Sequence, residues 1–384
     1  MIKILIWGIG KVEKRFRRYL NVDRASIVAY TSKDSTDGYV GGVKIVNPEK
    51  INSIDYDFII VATSFYKEIE KQLVELGVPK QRIRQVYDKE KYKDDDVIKD
   101  ITYWNYTCSN HEYEIGNYRI DLGCDHMLPA YQLEYPMYDC FLGELSKHLD
   151  DNEWAIDIGA NVGDSVFLLR KNSNIRILAV EPVSQYFDLL CRNISQIENV
   201  YPRQYVISMH EQKYKLTKHN GTAYVNDDFH NDLDNIQSIT LKHLLEVEKI
   251  ELNKIRLIKI DTDGFDAECL MSLQAVIKRI NAFLYFENYS CSKEIHDKFE
   301  QAYVFLEENG YRHFFLFDNF GNFLCEGNVN TIKDINGYLL RERSGNSADA
   351  IGYVDVLAVG KTLYKKAKSA VKEYVDFFDN IETY

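Results

Sequence analysis

Two short apolar segments of this chain each end in a glycine-rich turn that opens into an amphipathic segment. The first reads KILIWGIGKVEKRF from Lys3, and the second reads WAIDIGANVGDSVFLLR from Trp154. Such a run is typical of the first strand and helix of a parallel α/β sheet, because glycines allow the sharp turn and the close approach of helix to strand. Two such turns in one chain predict two doubly wound domains.

The length and the order of the patterns agree with this division. The chain has 384 residues, which is more than one hydrophobic core usually organises. Strand and helix patterns alternate over residues 1–92 and again over 151–361, which predicts two Rossmann-like α/β domains. The second should contain a seven-stranded sheet with six parallel strands and one antiparallel strand.

Three other segments carry weaker signals. Residues 93–150 are predicted to form a linker and a tyrosine-rich cap, in which EYPMYDCFLGELSKHL from Glu134 reads as a helix. The charged stretch 88–100 at the domain boundary lacks an apolar face, so it reads as solvated, with an exposed helix end as the alternative. Residues 209–255 read as polar and irregular up to a helix entered through Thr240. Residues 362–384 predict an amphipathic helix that could pack on the same chain or on a second copy, so a homo-oligomer is one expectation.

Composition limits the classes of partner. The formal net charge of −12 argues against a nucleic-acid partner, and no run reaches the ~18 apolar residues of a membrane span. The N-terminal apolar stretch runs into Gly8 rather than into a signal-peptide cleavage site. The seven cysteines include no CxxC pair, which favours reduced thiols. We therefore expect a cytoplasmic protein without a membrane span.

The first glycine turn matches a dinucleotide-binding fingerprint only in part. Gly8 and Gly10 fit, but Glu13 stands where a third small residue would let the helix approach the strand. Thr31 and Ser32 occupy the place of the acid that would bind the ribose of NAD. This turn could equally hold the fold only, or cradle another anion at a helix N-terminus.

The second glycine turn carries more of the features that a nucleoside cofactor requires. Asp157 ends a strand, Gly159 and Gly163 allow close backbone approach, and the next helix offers N–H groups to a carboxylate. Glu181 ends the following strand, where an acid can accept both ribose hydroxyls. This pattern indicates S-adenosylmethionine (SAM), with a turn that only holds the fold as the alternative. The predicted cofactor-binding residues are Asp157, Gly159, Ala160, Asn161, Gly163, Asp164, Ser165, Glu181 and Pro182.

Acidic residues follow the next two apolar strands. Asp261, Asp263 and Asp266 come after one strand, and Glu287 ends the other. Ligands of open parallel sheets bind at the carboxyl ends of strands, so these acids could orient the sulfonium, bind a hydroxyl or act as a base. Asp261 and Asp263 together could also hold Mg²⁺, which prefers oxygen ligands. Asp263 and Asp266 could instead cap the following helix. We favour capping for Asp266 and function for Asp261.

Several of these motifs together resemble one enzyme family. IDIGANVGDS, AVEP, LIKIDTDGFDAECL and YFEN, with the upstream DHMLPAYQLEYPMYDCFLGEL, are similar to FkbM-type SAM-dependent class I methyltransferases over about residues 120–360. The resemblance implies O-methylation, often of sugar hydroxyls in bacterial glycans or secondary metabolites. Asp263 stands where many members have glutamate. Residues 1–90 resemble small Rossmann-like domains found beside sugar-modifying and glycosyltransferase domains.

Methylation of a sugar hydroxyl would benefit from a general base, because the hydroxyl is a poor acid. The candidates are Asp261, Asp263, Glu287 and His126, with His230 as a more distant one. His126 could equally be a structural histidine. The tyrosines over residues 103–138 could stack on a sugar ring or could simply fill a core.

Rival functions remain open. The first is a nucleotide-sugar oxidoreductase or nucleotide-sugar-binding module that uses the N-terminal turn, and Glu13 counts against it. The second is a non-catalytic module of a glycan-assembly complex, and the retained Asp157 and Glu181 count against it. The third is methylation of nucleic acid bases, which the net charge of −12 and the lack of an Asn-Pro-Pro-Tyr-like element disfavour.

Overall fold

The computed structural model describes residues 1–33, 38–88, 92, 94–103, 112–123, 126–219, 222–226, 235–290, 292–341 and 351–381. The chain divides into two compact units, one of residues 1–107 and 130–134 and the other of residues 108–129 and 135–384. Helix α4, Leu128–Glu134, contributes residues to both units. Each unit has a sheet of its own.

The first unit is an α/β layer structure with a mostly parallel sheet. Its strands are β1 Ile2–Trp7, β2 Ala25–Thr31, β3 Gly38–Val40, β4 Val43–Ile45, β5 Phe58–Val61 and β6 Ile83–Gln85. Its helices are α1 Lys11–Tyr19, α2 Tyr66–Glu75 and α3 Asp96–Ile101, with 3-10 turns at Pro48–Ser53 and Lys80–Arg82. The strand order is β3-β4-β2-β1-β5-β6, and only the β3–β4 hairpin is antiparallel. The Rossmann-like α/β prediction is confirmed here.

The charged segment after this sheet differs from the prediction. Residues 88–100 were expected to lack an apolar face, yet Ile98 and Ile101 of α3 are buried in the core of the first unit. Asp95 begins the helix, since its carboxylate accepts hydrogen bonds from the N–H groups of Val97 and Ile98 at 3.0 and 3.1 Å. One acidic residue of the run is therefore a helix cap, and the apolar residues behind it form the buried face.

The second unit contains most of the chain. Its strands are β7 Glu112–Ile115, β8 Tyr118–Asp121, β9 Trp154–Ile158, β10 Arg176–Val180, β11 Val200–Arg203, β12 Val206–Ile207, β13 Lys213–His219, β14 Thr222–Asn226, β15 Asn235–Ile239, β16 Ile255–Ile260, β17 Phe283–Asn288, β18 Tyr311–Asp318, β19 Phe323–Gly327 and β20 Val354–Gly360. Its helices are α5 Phe141–Leu145, α6 Asp164–Arg170, α7 Ser184–Ile194, α8 Leu241–Val247, α9 Asp266–Met271, α10 Lys293–Glu308, α11 Val329–Arg341 and α12 Tyr364–Ile381. Short 3-10 turns cover Ser146–His148, Leu252–Lys254, Ser272–Ala275 and Ile277–Arg279.

The central sheet of this unit has the order β11-β10-β9-β16-β17-β20-β18-β19. The seven predicted strands are present, and β20 runs antiparallel to both of its neighbours β17 and β18. The sequence missed an eighth strand, β19, which pairs with the edge of β18. The chain leaves β9 towards β10 on one side and later returns to β16 on the other, so the carboxyl ends of β9 and β16 form a topological switch point.

Apolar side chains cover both faces of the central sheet. Ala155, Leu257 and Tyr285 face one core cluster, whereas Ile156 and Ile258 face the other. The strands are therefore buried on both sides, which explains their continuous apolar runs. Helix α12 packs on the body of its own unit, where the Tyr374 hydroxyl donates to the carbonyl of Gly321 at 2.7 Å.

Two segments of the second unit differ from the prediction. The helix expected from Glu134 is only α5, because Asp139 takes a left-handed conformation with φ of 55° that an α-helix cannot contain. The segment 209–255, expected to be irregular, contributes β13, β14 and β15 to a four-stranded sheet with β12. The alternation in KYKLTKH was the missed strand signal, and Tyr214 is buried as that alternation requires.

The tyrosine-rich segment is described in part. Tyr113, Tyr118 and Tyr138 pack against the core of the second unit, as the core-filling alternative predicts. Trp104 and Tyr106 lie outside the described residues. Among the helices that the structure describes, none has the length and apolar character that crossing a membrane requires.

Candidate active site

The turn after β9 requires glycine at two positions. Gly159 has φ of +79°, and a Cβ atom on it would lie 1.8 Å from the carbonyl oxygen of Asp261. Gly163 has φ of +95°, and its added Cβ would lie 2.9 Å from Leu190 Cδ1. Asn161 takes φ of 45°, which asparagine tolerates better than most residues. Contact with the backbone at the end of β16 thus fixes Gly159, whereas the positive φ and a leucine side chain of α7 fix Gly163.

Glu181 ties this turn to the end of β10. Its carboxylate accepts hydrogen bonds from Asn161 N at 2.9 Å and from Val183 N at 2.7 Å. Only 4% of Glu181 is exposed, and burial raises its pKa to about 7 although both N–H bonds act to lower it. Each carboxylate oxygen can accept a further bond, so Glu181 retains acceptor capacity for two hydroxyl groups.

Asp157 lies behind the turn rather than at its surface. It is fully buried, and its Oδ2 atom accepts a hydrogen bond from the Ser165 hydroxyl at 2.5 Å. Its Oδ1 atom lies 3.4 Å from Lys259 Nζ. Burial raises the pKa of Asp157, while Lys259 and the Ser165 hydroxyl act in the opposite direction. Asp157 therefore supports Ser165 and Lys259, both of which line the cleft.

Lys259 was not predicted as a site residue, although it stands between two isoleucines near the end of the strand IRLIKI. It is 6% exposed, and its ammonium donates to the carbonyl of Gly159 at 3.0 Å. The same ammonium lies 3.3 Å from Asp261 Oδ2. Burial acts to lower the pKa of Lys259, but the carboxylates of Asp157 and Asp261 outweigh it and raise that pKa. Lys259 is therefore a buried cation between the turn and the end of β16.

Asp261 and Asp266 have different surroundings after β16. The side chain of Asp261 is 46% exposed, and its backbone N–H donates to the carbonyl of Ile158 at 3.0 Å. Asp266 is buried, and its carboxylate accepts bonds from Thr262 N at 3.3 Å and Gly264 N at 3.2 Å. Asp266 thus closes the loop at the start of α9, which is the kind of structural role favoured for it, whereas Asp261 is open to a ligand.

Asp263 lies within that loop in a left-handed conformation, with φ of 52°. Burial raises its pKa, and the neighbouring carboxylates of Asp261 and Asp266 raise it further. Aspartate is enriched in this conformation compared with most side chains, which gives a backbone reason for a short acid here. Its predicted role as a base stays a prediction.

A small cleft of about 30 Å³ opens beside Asp261, at the carboxyl ends of β16 and β17. Its lining residues are Asp139, Leu142, Asp164, Ser165, Leu168, Lys259, Ile260, Asp261, Tyr285, Phe286, Glu287 and Asp355. The lining therefore combines one cation with five carboxylates.

Three of those carboxylates bind protons more tightly than usual. Burial raises the pKa of Asp139 to about 8, with Asp261 and Asp164 adding to the effect. Burial also raises the pKa of Glu287 and of Asp355 well above their ordinary values. Sequence reasoning missed Asp139 and Asp355, since Asp139 follows a turn and Asp355 interrupts the apolar run of β20.

The structure does not place the predicted base His126 among the residues of this cleft. Its Nδ1 atom accepts a bond from Leu128 N at 3.3 Å, which caps the start of α4. This contact agrees with the structural alternative. His230 lies outside the described residues.

The arrangement of side chains gives little support to the binding of a divalent metal. Across the described ranges, no group of three or more His, Cys, Asp or Glu side chains is arranged to hold one. Asp261, one of the two predicted ligands, pairs with Lys259. An ammonium beside a carboxylate competes with a metal ion for the same charge, so the Asp261–Asp263 metal site is not supported.

The glycine turn of the first unit has a structural explanation. Gly8 has φ of +115°, and a Cβ on it would lie 2.7 Å from the carbonyl oxygen of Ala62. Glu13 is buried and accepts a hydrogen bond from the Tyr30 hydroxyl at 2.9 Å. Arg17 Nε lies 3.2 Å from the same carboxylate oxygen of Glu13. The acid that departs from the dinucleotide fingerprint thus belongs to the packing of α1 on β2.

Comparison with protein-family models decides the class of the second unit. Residues 157–313 match the model described as the methyltransferase FkbM domain. This segment is an FkbM methyltransferase domain. The resemblance predicted from the motifs is confirmed, and the protein is a methyltransferase whose sheet, with β20 antiparallel between β17 and β18, has the class I arrangement. Residues 1–84 match a model described as C2185-like, N-terminal.

Solved structures give distant likenesses to this chain. The methyltransferase FkbM from Methylobacillus flagellatus KT is 11% identical, with a TM-score of 0.32 over 93% of this chain and 90% of its own. The precorrin-6y C5,15-methyltransferase from Geobacter metallireducens GS-15 is 15% identical, with a TM-score of 0.31 over 58% of this chain and 87% of its own. An rRNA methylase from Streptococcus thermophilus is 12% identical, with a TM-score of 0.33 over 57% of this chain and 94% of its own. No curated protein gives a significant match.

Proposed function

We propose that the FkbM domain binds SAM at the turn after β9 and methylates a sugar hydroxyl in a glycan or secondary metabolite. The observation that carries this proposal is the convergence of the glycine turn, Glu181 and Asp261 at one switch point of the sheet. The turn and Glu181 are joined by the Asn161 N–H, and Asp261 contacts the turn through Lys259.

The residues present fit this cofactor. Gly159 and Gly163 hold the tight turn between β9 and α6, at φ of +79° and +95°, and this turn brings the backbone N–H groups at the start of α6 to the end of the strand. Glu181 is a buried carboxylate with spare acceptor capacity for the two ribose hydroxyls. The Asp261 carboxylate, whose side chain is 46% exposed at the cleft, suits a cationic sulfonium. SAM supplies an activated methyl group, so the protein must only position the acceptor and remove its proton.

The cleft also provides proton acceptors for a hydroxyl substrate. Asp261 is the most open of the candidate bases, and Glu287 lines the same cleft. A positioned base contributes about 10²–10⁴-fold to such a transfer. The Asp261 carboxylate would repel a phosphate group close to the reacting atoms, so a neutral sugar suits the cleft better than a nucleic acid backbone. The proposal of a neutral sugar as the methyl acceptor therefore rests on the negative charge at the cleft.

The alternative function is a nucleotide-sugar oxidoreductase or a nucleotide-sugar-binding module built on the first unit. The packing roles of Gly8 and Glu13 weigh against this alternative. Titration with NADH, followed by its fluorescence, would reveal the cofactor binding that the oxidoreductase alternative requires. We expect no saturable change in fluorescence.

The acceptor proposal is tested by comparing surface glycans and secreted metabolites of a deletion strain with those of its parent by mass spectrometry. We expect loss of one methyl group from a sugar residue, restored by the wild-type gene and not by a Glu181→Ala gene. Glycans and metabolites with unchanged methylation, together with a methyl group lost from RNA or DNA, would contradict the acceptor class.

A further inference from the structure

Lys259 is a buried charged group for which the mechanism above has no use. Its ammonium has three partners on two adjacent strands, namely the Gly159 carbonyl, Asp157 Oδ1 and Asp261 Oδ2. Lys259 and Asp157 are also direct partners in the register of β16 and β9. The lysine therefore joins the cofactor turn to the one half-exposed acid of the cleft.

A buried lysine would be costly if its only role were to connect two strands. The same strands are already joined at their other end, where Arg256 Nε lies 2.6 Å from Glu153 Oε1. Asp157 compensates the charge of Lys259 from behind the turn, so Lys259 can hold Asp261 without itself presenting an unbalanced positive charge. The three side chains together carry one net negative charge, on the side where Asp261 is exposed.

We propose that Lys259 is a positioning residue that holds the Asp261 carboxylate towards the sulfonium of the methyl donor. This inference rests on the proposed function. It predicts that the chain distinguishes SAM from S-adenosylhomocysteine (SAH), which lacks the positive charge, and that this preference depends on Lys259 through Asp261.

The test is calorimetric titration of the full chain with SAM and with SAH, for which no acceptor is needed. A Lys259→Met change alone would leave Asp157 buried without its cation, and the variant could fail to fold. The pair Asp157→Asn and Lys259→Met avoids this, because it removes one charge of each sign. It therefore keeps the net charge of the three residues, while it removes the Lys259 contact with Asp261 and the Lys259 hydrogen bond to the Gly159 carbonyl.

We expect the paired variant to lose about three- to tenfold of the SAM-over-SAH preference, the scale of one partly exposed charge contact. Asp261→Asn should produce a similar loss in the wild-type background and almost none in the paired variant. The matched control is Glu153→Gln with Arg256→Met, which removes the ion pair at the other end of the same strands. It should lower the melting temperature and leave the preference unchanged.

Two outcomes would overturn the inference. One is a paired variant that prefers SAM over SAH as strongly as the wild type does. The other is an Asp261→Asn change that lowers this preference equally in the wild-type background and in the paired variant. Failure of the wild-type chain to bind either SAM or SAH would instead contradict the proposed function. The two failures are therefore distinguishable in one set of titrations.

Discussion

Glu287 and Asp355 lie directly opposite each other on the antiparallel strands β17 and β20, and both line the cleft. Like charges in such a pair destabilise a sheet. Burial raises the pKa of both residues well above their ordinary values, with Asp261 adding to the effect on each. The pair therefore binds a proton more tightly than two separate exposed acids would.

This pair makes the stability of the enzyme depend on pH. An acid whose pKa is raised by folding stabilises the fold while it is protonated, and that contribution is lost as the pH rises through the folded-state pKa. Asp355→Asn mimics the protonated acid. We expect it to raise the free energy of unfolding by at least about 1 kcal/mol at about pH 8.5, and to have little effect at about pH 3.5, below the ordinary pKa of an aspartate.

Urea unfolding at both pH values measures this difference. Asp150→Asn is the control, because Asp150 is an exposed acid that lies 3.9 Å from Lys366 and has no place in the cleft. The effect of Asp150→Asn on the free energy of unfolding should be equally small at both pH values. An Asp355→Asn effect of the same size at both pH values would show that the pair does not hold the proton.

Gly159→Ala should destabilise the fold through both backbone strain and a clash. The alanine Cβ would lie 1.8 Å from the Asp261 carbonyl, at a φ of +79°. We expect a loss of at least about 3 kcal/mol in the free energy of unfolding. Gly310→Ala is the matched control, since Gly310 has φ of +91° but nothing within 4 Å of its added Cβ.

The control isolates the cost of the left-handed conformation, which is about 1–2 kcal/mol. Denaturant unfolding of both variants gives the comparison. If both changes lower the free energy of unfolding by the same amount, the close approach of Gly159 to the end of β16 does not contribute to stability.

Asp261→Asn should lower turnover much more than it lowers SAM affinity. The amide keeps the size of the side chain but cannot take a proton from the acceptor. We expect methyl transfer to fall by about 10²–10⁴-fold, with SAM affinity changed by no more than about tenfold. The measurement is transfer of labelled methyl from SAM to glycan extracted from a deletion strain. Retained turnover would move the base to another residue of the cleft.

The sequence predicted those parts of the fold and site that depend on local patterns. Apolar runs with period 2 or continuous burial located the seven strands, and the turn with Glu181 indicated the proposed cofactor site. Lys259 and Asp355 could not be found in the same way, because their roles arise from pairing between distant strands. A charged residue inside an apolar strand was the one available signal for both.

The local sequence pattern was misleading at two places where a single residue determines the backbone conformation. Asp139 gave no reason to end the helix expected from Glu134, yet its left-handed φ of 55° does so and places its carboxylate in the cleft. Asp95 had the opposite effect, since it begins a helix in a stretch that composition alone marked as solvated. Both outcomes depend on hydrogen bonds and contacts that periodicity does not encode.

Calorimetric titration with SAM of the wild-type chain and of one variant in each glycine turn tests the central claim most directly. We predict saturable binding by the wild type, and a loss of about 1–3 kcal/mol of binding free energy in Glu181→Ala, because the ribose hydroxyls lose their acceptor. Gly10→Ala in the first turn should bind like the wild type, since its added Cβ meets nothing within 4 Å. Absence of binding by the wild type, or binding weakened by Gly10→Ala and not by Glu181→Ala, would contradict the assignment.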